Sequence, residues 1–120
     1  MVRKGQKYER KLRDQLMELP QIVTVSRSAG SKNLDLIALF KKRVVIFEVK
    51  STSKDVVYPS KDAEQFEILL NLPEATDYIL EKYYAVWFLN RGWEFFKIDE
   101  NLKRCKIGEG IKWNSIMSRF

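Results

Sequence analysis

Three ionisable side chains interrupt an apolar stretch of the chain, and their types suit metal chemistry. Asp35 lies near the start of the run LDLIALFKKRVVIFEVK, and Glu48 and Lys50 lie at its end on either side of Val49. Burying a charged group costs free energy unless the charge is paired or binds a metal. Two carboxylates supply the hard oxygen ligands that Mg²⁺ and Mn²⁺ prefer, and the carbonyl of Val49 is a plausible third ligand. We therefore expect a Mg²⁺ site here, with Mn²⁺ as a substitute.

The same residues would divide the chemistry of phosphate-ester hydrolysis between them. A metal held by Asp35 and Glu48 would polarise a phosphate oxygen and lower the pKa of the attacking water. Lys50 would orient that water or offset the negative charge that builds up on the phosphate. An alternative stays open, in which the E-x-K pattern arises by chance and its charges form a solvated cross-strand pair on an edge strand.

A hairpin would position the two carboxylates. The β-rich runs on either side of Lys41-Lys42-Arg43 predict two strands and a tight turn. If Lys41 and Lys42 form the loop, Asp35 lies opposite Glu48, with Cβ atoms about 5 Å apart. Carboxylates this close repel each other unless a cation lies between them. A three-residue loop would shift the register by one residue and place the two carboxylates on opposite faces.

The remaining periodicities predict an α/β protein with helices on both sides of a mixed sheet. Segment 51–60 is expected to be a loop, Ser60 could be the N-cap of the second helix, and the C-terminal segment is ambiguous. The predicted helices are 5–19 and 61–72, and the predicted strands are 22–25, 34–40, 44–49, 84–89 and 93–98.

The composition favours a polyanionic partner and excludes several kinds of site. The chain has 120 residues, 45% of them apolar, which predicts one globular domain over residues 1–120. Its net charge of +6 suits nucleic acid, although a basic protein without that role has the same charge. The single cysteine, Cys105, and the lack of histidine exclude an internal disulfide, Cys/His zinc sites and imidazole-based triads.

The sequence carries no sign of a membrane segment. No apolar run approaches the roughly 20 residues that span a bilayer. The N-terminal MVRKGQKYERK is not a secretory signal. We therefore expect a cytoplasmic protein that has no membrane partner and no small-molecule cofactor.

Further polar residues lie where they could join the site. Arg27 and Lys32 flank a Gly/Ser loop, which suits phosphate contact but also fits ordinary surface charge. Glu9 lies at the edge of an apolar helical stripe, where it could face the sheet or be a solvated glutamate paired with Arg13. Gln65 lies on the second predicted helix and fits either a site role or a neutral exposed position.

Five motifs, taken in order, resemble those of the archaeal-type Holliday junction resolvases, in the PD-(D/E)xK nuclease superfamily. They are RKG at 3–5, ER at 9–10, RSAGSK at 27–32, Asp35, and EVK at 48–50. The resemblance covers residues 3–98, and Leu34 replaces the proline of the class name. It implies a restriction-endonuclease-like three-layer core with a central mixed sheet flanked by helices. It also implies a homodimer that cuts four-way DNA junctions by Mg²⁺-dependent paired nicks.

The resemblance also implies roles for individual residues. The metal-binding set is Glu9, Asp35, Glu48 and Val49, and the same three carboxylates with Lys50 and Ser31 form the catalytic set. The DNA-binding set is Arg3, Lys4, Arg10, Arg27, Ser28, Lys32, Lys54 and Gln65. Two alternatives remain, namely a sister nuclease acting on other branched or linear DNA, and a catalytically inactive DNA-binding module.

Overall fold

The chain folds into three α-helices and eight β-strands over the described residues, which are 4–27, 35–41, 43–71 and 79–120 of a computed structural model. A short 3₁₀ turn, Pro59–Asp62, precedes the second helix. The helices are α1 (Lys4–Met17), α2 (Ala63–Leu70) and α3 (Trp113–Met117). The strands are β1 (Ile22–Arg27), β2 (Leu36–Phe40), β3 (Arg43–Thr52), β4 (Val56–Val57), β5 (Ile79–Phe88), β6 (Gly92–Lys97), β7 (Cys105–Lys106) and β8 (Ile111–Lys112).

Six of the strands form a mixed sheet in the order β1-β2-β3-β5-β6-β8. Only the central pair, β3 and β5, is parallel, and the other neighbours are antiparallel. A parallel pair needs a crossover connection, and α2 lies within the connection between these two strands. Because both faces of the sheet are covered at β3, its residues 45–49 are buried as a continuous run.

Helices cover both faces of the sheet, which confirms the predicted fold class. Helix α1 buries Tyr8, Leu12 and Leu16 against one face, since a spacing of four places them on one side of a helix. Two residues of α3, Ile116 and Met117, join the same apolar cluster. On the other face, Leu69 of α2 packs in a second cluster with side chains of β3, β5 and β6. Burying a leucine contributes roughly 1.5–3 kcal/mol.

The predicted register of the β2–β3 hairpin is confirmed. Leu36 pairs with Phe47 and Leu39 pairs with Val44, as a loop of Lys41 and Lys42 requires. Extending this register by one residue places Asp35 opposite Glu48. Residue 42 itself lies outside the described residues. The short turn and the alternation of buried side chains in β2 therefore specify the same register between β2 and β3.

The expectation of a loop over residues 51–60 is wrong in part. This segment contains the end of β3, all of β4 and the first half of the 3₁₀ turn. Ser60 is not the N-cap of α2, because the turn occupies its position. Asp62 caps the helix instead, and its Oδ1 accepts a hydrogen bond from the backbone nitrogen of Gln65 at 3.3 Å.

The C-terminal segment, which shows no clear pattern in the sequence, is anchored through Glu94 of β6. This carboxylate is 1% exposed and accepts hydrogen bonds from the backbone nitrogens of Gly108 and Gly110 and from Lys112 Nζ. Strand β8 then pairs with β6, and β7 pairs with β4 in a separate two-stranded sheet. Within the described ranges, no helix is long and apolar enough to cross a membrane.

Candidate active site

The site lies at the open end of the β2–β3 hairpin. Strand β3 continues to Thr52 beside β5, whereas the pairing with β2 reaches no further than Phe47. The backbone nitrogen of Val49 therefore points past the end of β2, where no residue of that strand pairs with it. Asp35 fills this gap, and its Oδ2 accepts a hydrogen bond from Val49 N at 2.8 Å. The hydrogen bond fixes the aspartate at the edge of the sheet next to Glu48.

Glu48 is the most deeply buried carboxylate at this end of the sheet. It is 2% exposed, and its Oε1 lies 3.5 Å from Lys50 Nζ. Its Oε2 is buried and has no hydrogen-bond partner among the described residues. Such an orphaned acceptor is costly in a protein interior and is common where an ion or ligand binds.

Burial, followed by the negative charge of Asp35, raises the pKa of Glu48 to about 8. The ammonium group of Lys50 opposes both effects but does not outweigh them. In the absence of a cation, the carboxyl group is therefore mostly protonated at neutral pH. A divalent cation between the two carboxylates would remove the repulsion and favour the ionised form.

Lys50 is oriented from the opposite side by α2. Its Nζ donates a hydrogen bond to Gln65 Oε1 at 3.3 Å, and Gln65 is almost wholly buried. The cap at Asp62 fixes the first turn of α2 and with it the position of Gln65. Lys50 thus keeps a defined place between an amide acceptor and the Glu48 carboxylate.

Glu9 approaches the same cluster from α1. Its Oε2 lies 3.3 Å from Arg27 Nη2, and both side chains are partly buried. Burial and the charge of Asp35 raise the pKa of Glu9, while Arg27 lowers it. Arg27 is the last residue of β1 and pairs with Leu36, the first residue of β2. Helix α1, β1 and β2 therefore meet beside Asp35.

Three residues that the sequence analysis missed lie beside Lys50. Tyr58, Asp62 and Tyr84 line a cavity of about 210 Å³ together with Lys50 and Gln65. Tyr84 lies next to Glu48 in the parallel β3–β5 ladder, and only knowledge of that pairing could have found it. The sequence did contain a hint that Tyr58 has a role, since it is the only aromatic residue in segment 51–60 and lies just before Pro59.

Comparison with known proteins decides the family. A family model described as the archaeal Holliday junction resolvase, Hjc, matches residues 1–115. The chain belongs to this family. A curated relative, the crossover junction endodeoxyribonuclease Hjc of Methanocaldococcus jannaschii, is 38% identical over an alignment of 114 residues that covers 92% of this chain and 80% of the relative. The resemblance that the five motifs indicated is thereby confirmed.

A solved structure of an Hjc protein supports the fold of this family member. The chain matches the Holliday junction resolvase Hjc of Archaeoglobus fulgidus, from an archaeal hyperthermophile, with a TM-score of 0.69 over 98% of each chain. The two sequences are 22% identical, so this similarity bears on the fold alone.

The Hjc fold brings seven of the fourteen predicted site residues together. Glu9, Arg27, Asp35, Glu48, Val49, Lys50 and Gln65 meet through the contacts described above. Arg10 and Lys54 are exposed, and within the described part of the chain neither is ion-paired to the carboxylates. The predicted residues Arg3, Ser28, Ser31 and Lys32, and the side chain of Lys4, lie outside the described residues.

The donor set in this member of the resolvase family fits a hard divalent cation. Over the described ranges, no three Asp, Glu or Cys side chains are grouped closely enough to hold a metal by themselves. Mg²⁺ commonly binds through one or two carboxylates and keeps several waters or phosphate oxygens. The Asp35 carboxylate and Glu48 Oε2 could meet that requirement, and the carbonyl of Val49 stays a predicted third ligand.

Proposed function

We propose that the chain is a Mg²⁺-dependent endonuclease that cuts four-way DNA junctions by paired nicks, with Mn²⁺ as a substitute cation. The observation that carries the proposal is the buried Glu48 carboxylate, which faces Asp35 and lies 3.5 Å from Lys50, and whose Oε2 meets no well-aligned hydrogen-bond donor among the described residues. Family membership over residues 1–115 supplies the substrate class, since the matching relatives are named as junction resolvases.

Asp35, Glu48 and the Val49 carbonyl would hold the cation. When bound, Mg²⁺ supplies Lewis-acid polarisation of a phosphate oxygen and a lower pKa for the attacking water. The Val49 amide keeps the Asp35 carboxylate in one orientation, so that little reorganisation is needed at the moment of reaction. Glu9 stays a predicted metal ligand. Because its carboxylate is already ion-paired with Arg27, it would contact the cation through a water molecule.

Lys50 would act on the phosphate that is cut. Its ammonium group has three donors, of which Gln65 Oε1 takes one and the Glu48 carboxylate faces another. The remaining donor is free to bind a non-bridging phosphate oxygen and to stabilise the negative charge that grows there. Gln65 serves as a positioning residue, because it contacts the side chains of Lys50 and Glu48.

A homodimer would explain paired cutting. A four-way junction has approximate two-fold symmetry, and a two-fold dimer presents two identical sites at a fixed separation. The net charge of +6 suits binding to the phosphate backbone, with the bendability of the junction supplying specificity.

A cleavage assay with matched substrates tests the proposal. Labelled four-way junctions and linear duplexes of the same sequence are incubated with the wild type and with Asp35→Asn, Glu48→Gln and Glu67→Gln, in Mg²⁺ and in EDTA. We expect symmetric cuts in the junction only, lost in EDTA and in the first two variants. Glu67 is an exposed carboxylate of α2 and serves as the matched control, so its variant should cut normally.

Other outcomes would overturn parts of the proposal. Equal cutting of junction and duplex would identify a nuclease with a different DNA substrate. Junction binding without any cutting in Mg²⁺ or Mn²⁺ would identify an inactive DNA-binding module. Cutting that survives EDTA would contradict the metal-dependent mechanism.

A further inference from the structure

The cavity beside Lys50 has the size of one unit of a nucleic-acid chain. Its volume of about 210 Å³ lies on the α2 side of the sheet, with Lys50 and Gln65 at one end and Val57 and Pro59 along its wall. This volume corresponds to about seven water molecules, which is small for a drug-sized ligand. A base or a sugar fits such a space when the rest of the ligand lies outside it.

Tyr58 presents an aromatic surface at the rim of this cavity. It is 44% exposed and is one of three large apolar side chains that are exposed among the described residues. Strand β4 holds it on one side, and the 3₁₀ turn that starts at Pro59 holds it on the other. An exposed, fixed aromatic ring is a stacking surface for a nucleobase, because every base has a flat apolar face.

Strand β7 brings a basic side chain close to Tyr58. The β4–β7 pairing joins Val56 to Lys106 and Val57 to Cys105, and extending it by one residue places Arg104 opposite Tyr58. Arg104 is exposed, and its Nε and Nη2 both donate hydrogen bonds to the Glu109 carboxylate, at 3.2 and 2.9 Å, so a phosphate would bind at the Nη1–Nη2 end of the guanidinium. A guanidinium beside an aromatic ring suits a nucleotide, whose phosphate accepts paired hydrogen bonds next to its base.

We propose that the cavity, Tyr58 and Arg104 form a subsite for the nucleotide next to the phosphate that is cut, with the base stacked on Tyr58 and a phosphate at Arg104. The inference rests on the proposed function, in which the cut phosphate lies at Lys50. The occupant is therefore a nucleotide of the DNA substrate. Its base stacks and is not read by hydrogen bonds, so the subsite tolerates any sequence.

Base stacking is tested with a fluorescent base. Four-way junctions carry 2-aminopurine on either side of the phosphates that the wild type cuts, and binding is followed in EDTA. The wild type and Tyr58→Phe should quench the fluorescence, whereas Tyr58→Ala should not and should bind roughly tenfold more weakly. Met17→Ala, which shortens another exposed apolar side chain, is the control and should bind as the wild type does.

The phosphate contact is tested by the salt dependence of junction binding. Arg104→Gln should reduce the slope of log K against log salt by about one. Glu109→Gln releases the arginine from its ion pair and should keep the full slope. Equal slopes for the wild type and Arg104→Gln would remove Arg104 from the subsite.

Failure of the subsite can be told apart from failure of the proposed function. If Tyr58→Ala folds normally and keeps both the quenching and the affinity while the wild type cuts junctions, the subsite is wrong and the nuclease stands. If the wild type cuts no DNA, 2-aminopurine is placed at each junction position in turn. Quenching that depends on Tyr58 would then support the subsite without the nuclease, and its absence would overturn both.

Discussion

At the scale of single residues, the site depends on one carboxyl group whose ionisation the fold opposes. Burial and Asp35 raise the pKa of Glu48 from 4.5 to about 8. Between these values the unfolded chain has lost the proton while the folded chain keeps it, so stability falls as the pH rises through this window. In the absence of metal, ionisation of Glu48 therefore lowers the free energy of unfolding, although a bound cation would need this carboxylate in its ionised form.

Glu48→Gln should therefore stabilise the metal-free protein. The variant keeps the shape of the side chain but has no proton to lose, and its advantage should grow from pH 4.5 to about 8 and then level off at a few kcal/mol. Urea unfolding in EDTA across this range measures the difference. Glu67→Gln should show no comparable trend. If the wild type became more stable relative to Glu48→Gln as the pH rises, that result would contradict the raised pKa of Glu48.

Lys50 and Gln65 should differ in how they affect cutting. Lys50→Met removes a donor aimed at the phosphate and should lower the single-turnover cleavage rate by roughly 10²–10³-fold. Gln65→Ala removes an amide that orients Lys50 and contacts Glu48 but does not itself reach the phosphate, so a smaller loss with unchanged junction affinity is expected. Rapid-quench measurements in Mg²⁺ separate rate from affinity, and a larger loss in the Gln65 variant would reverse the assigned roles.

At the scale of elements, the buried Glu94 carboxylate ties the last part of the chain to the sheet. Although burial alone would raise its pKa, hydrogen bonds from Lys112, Gly108 and Gly110 lower the pKa below its ordinary value. Its contribution to stability is therefore present above pH 4.5 and is lost as the pH falls through the lowered value. Strands β7 and β8 depend on this contact for their place.

Glu94→Gln should destabilise the protein at neutral pH. Charge-assisted hydrogen bonds to a buried carboxylate contribute roughly 1.5–3 kcal/mol each, and an amide cannot accept all of them. Thermal unfolding at pH 7 measures the loss, which should shrink in acid. Glu109→Gln, at an exposed carboxylate, is the control, and equal stability of the two variants would show that the anchor is dispensable.

The elements show which parts of the fold could be predicted. Helix α1 and the β2–β3 hairpin follow from spacing and turn length, which are local properties of the sequence. Strand β4 and the pairing of β7 could not be predicted, because each depends on a partner far along the chain. The cap at Asp62 is a local contact, and it was missed because a 3₁₀ turn occupies the position of Ser60 and moves the start of the helix. The single domain over residues 1–120 stays a prediction.

At the scale of the whole molecule, paired cutting requires two linked sites. The protein should sediment at about twice its chain mass of 14.2 kDa. Mixed dimers of wild type and Glu48→Gln should cut one strand of a junction and leave the other, because each site acts on its own strand. Sedimentation as a monomer at working concentration, or two cuts from mixed dimers, would contradict the paired mechanism.

The amino-acid sequence alone named the candidate groups, because the lack of histidine and the single cysteine limit the chemistry to carboxylates, lysine, arginine, hydroxyls or water. It left two registers open for the hairpin, and the pairing of Leu36 with Phe47 selected the one that places Asp35 opposite Glu48. Only the tertiary structure decided what surrounds them. The parallel pairing of β3 with β5 placed Tyr84 near Lys50, and the crossover through α2 placed Gln65 there. The pairing of β4 with β7 fixed the strand that precedes Tyr58. These contacts join residues far apart in sequence, and no local spacing encodes which strands lie side by side.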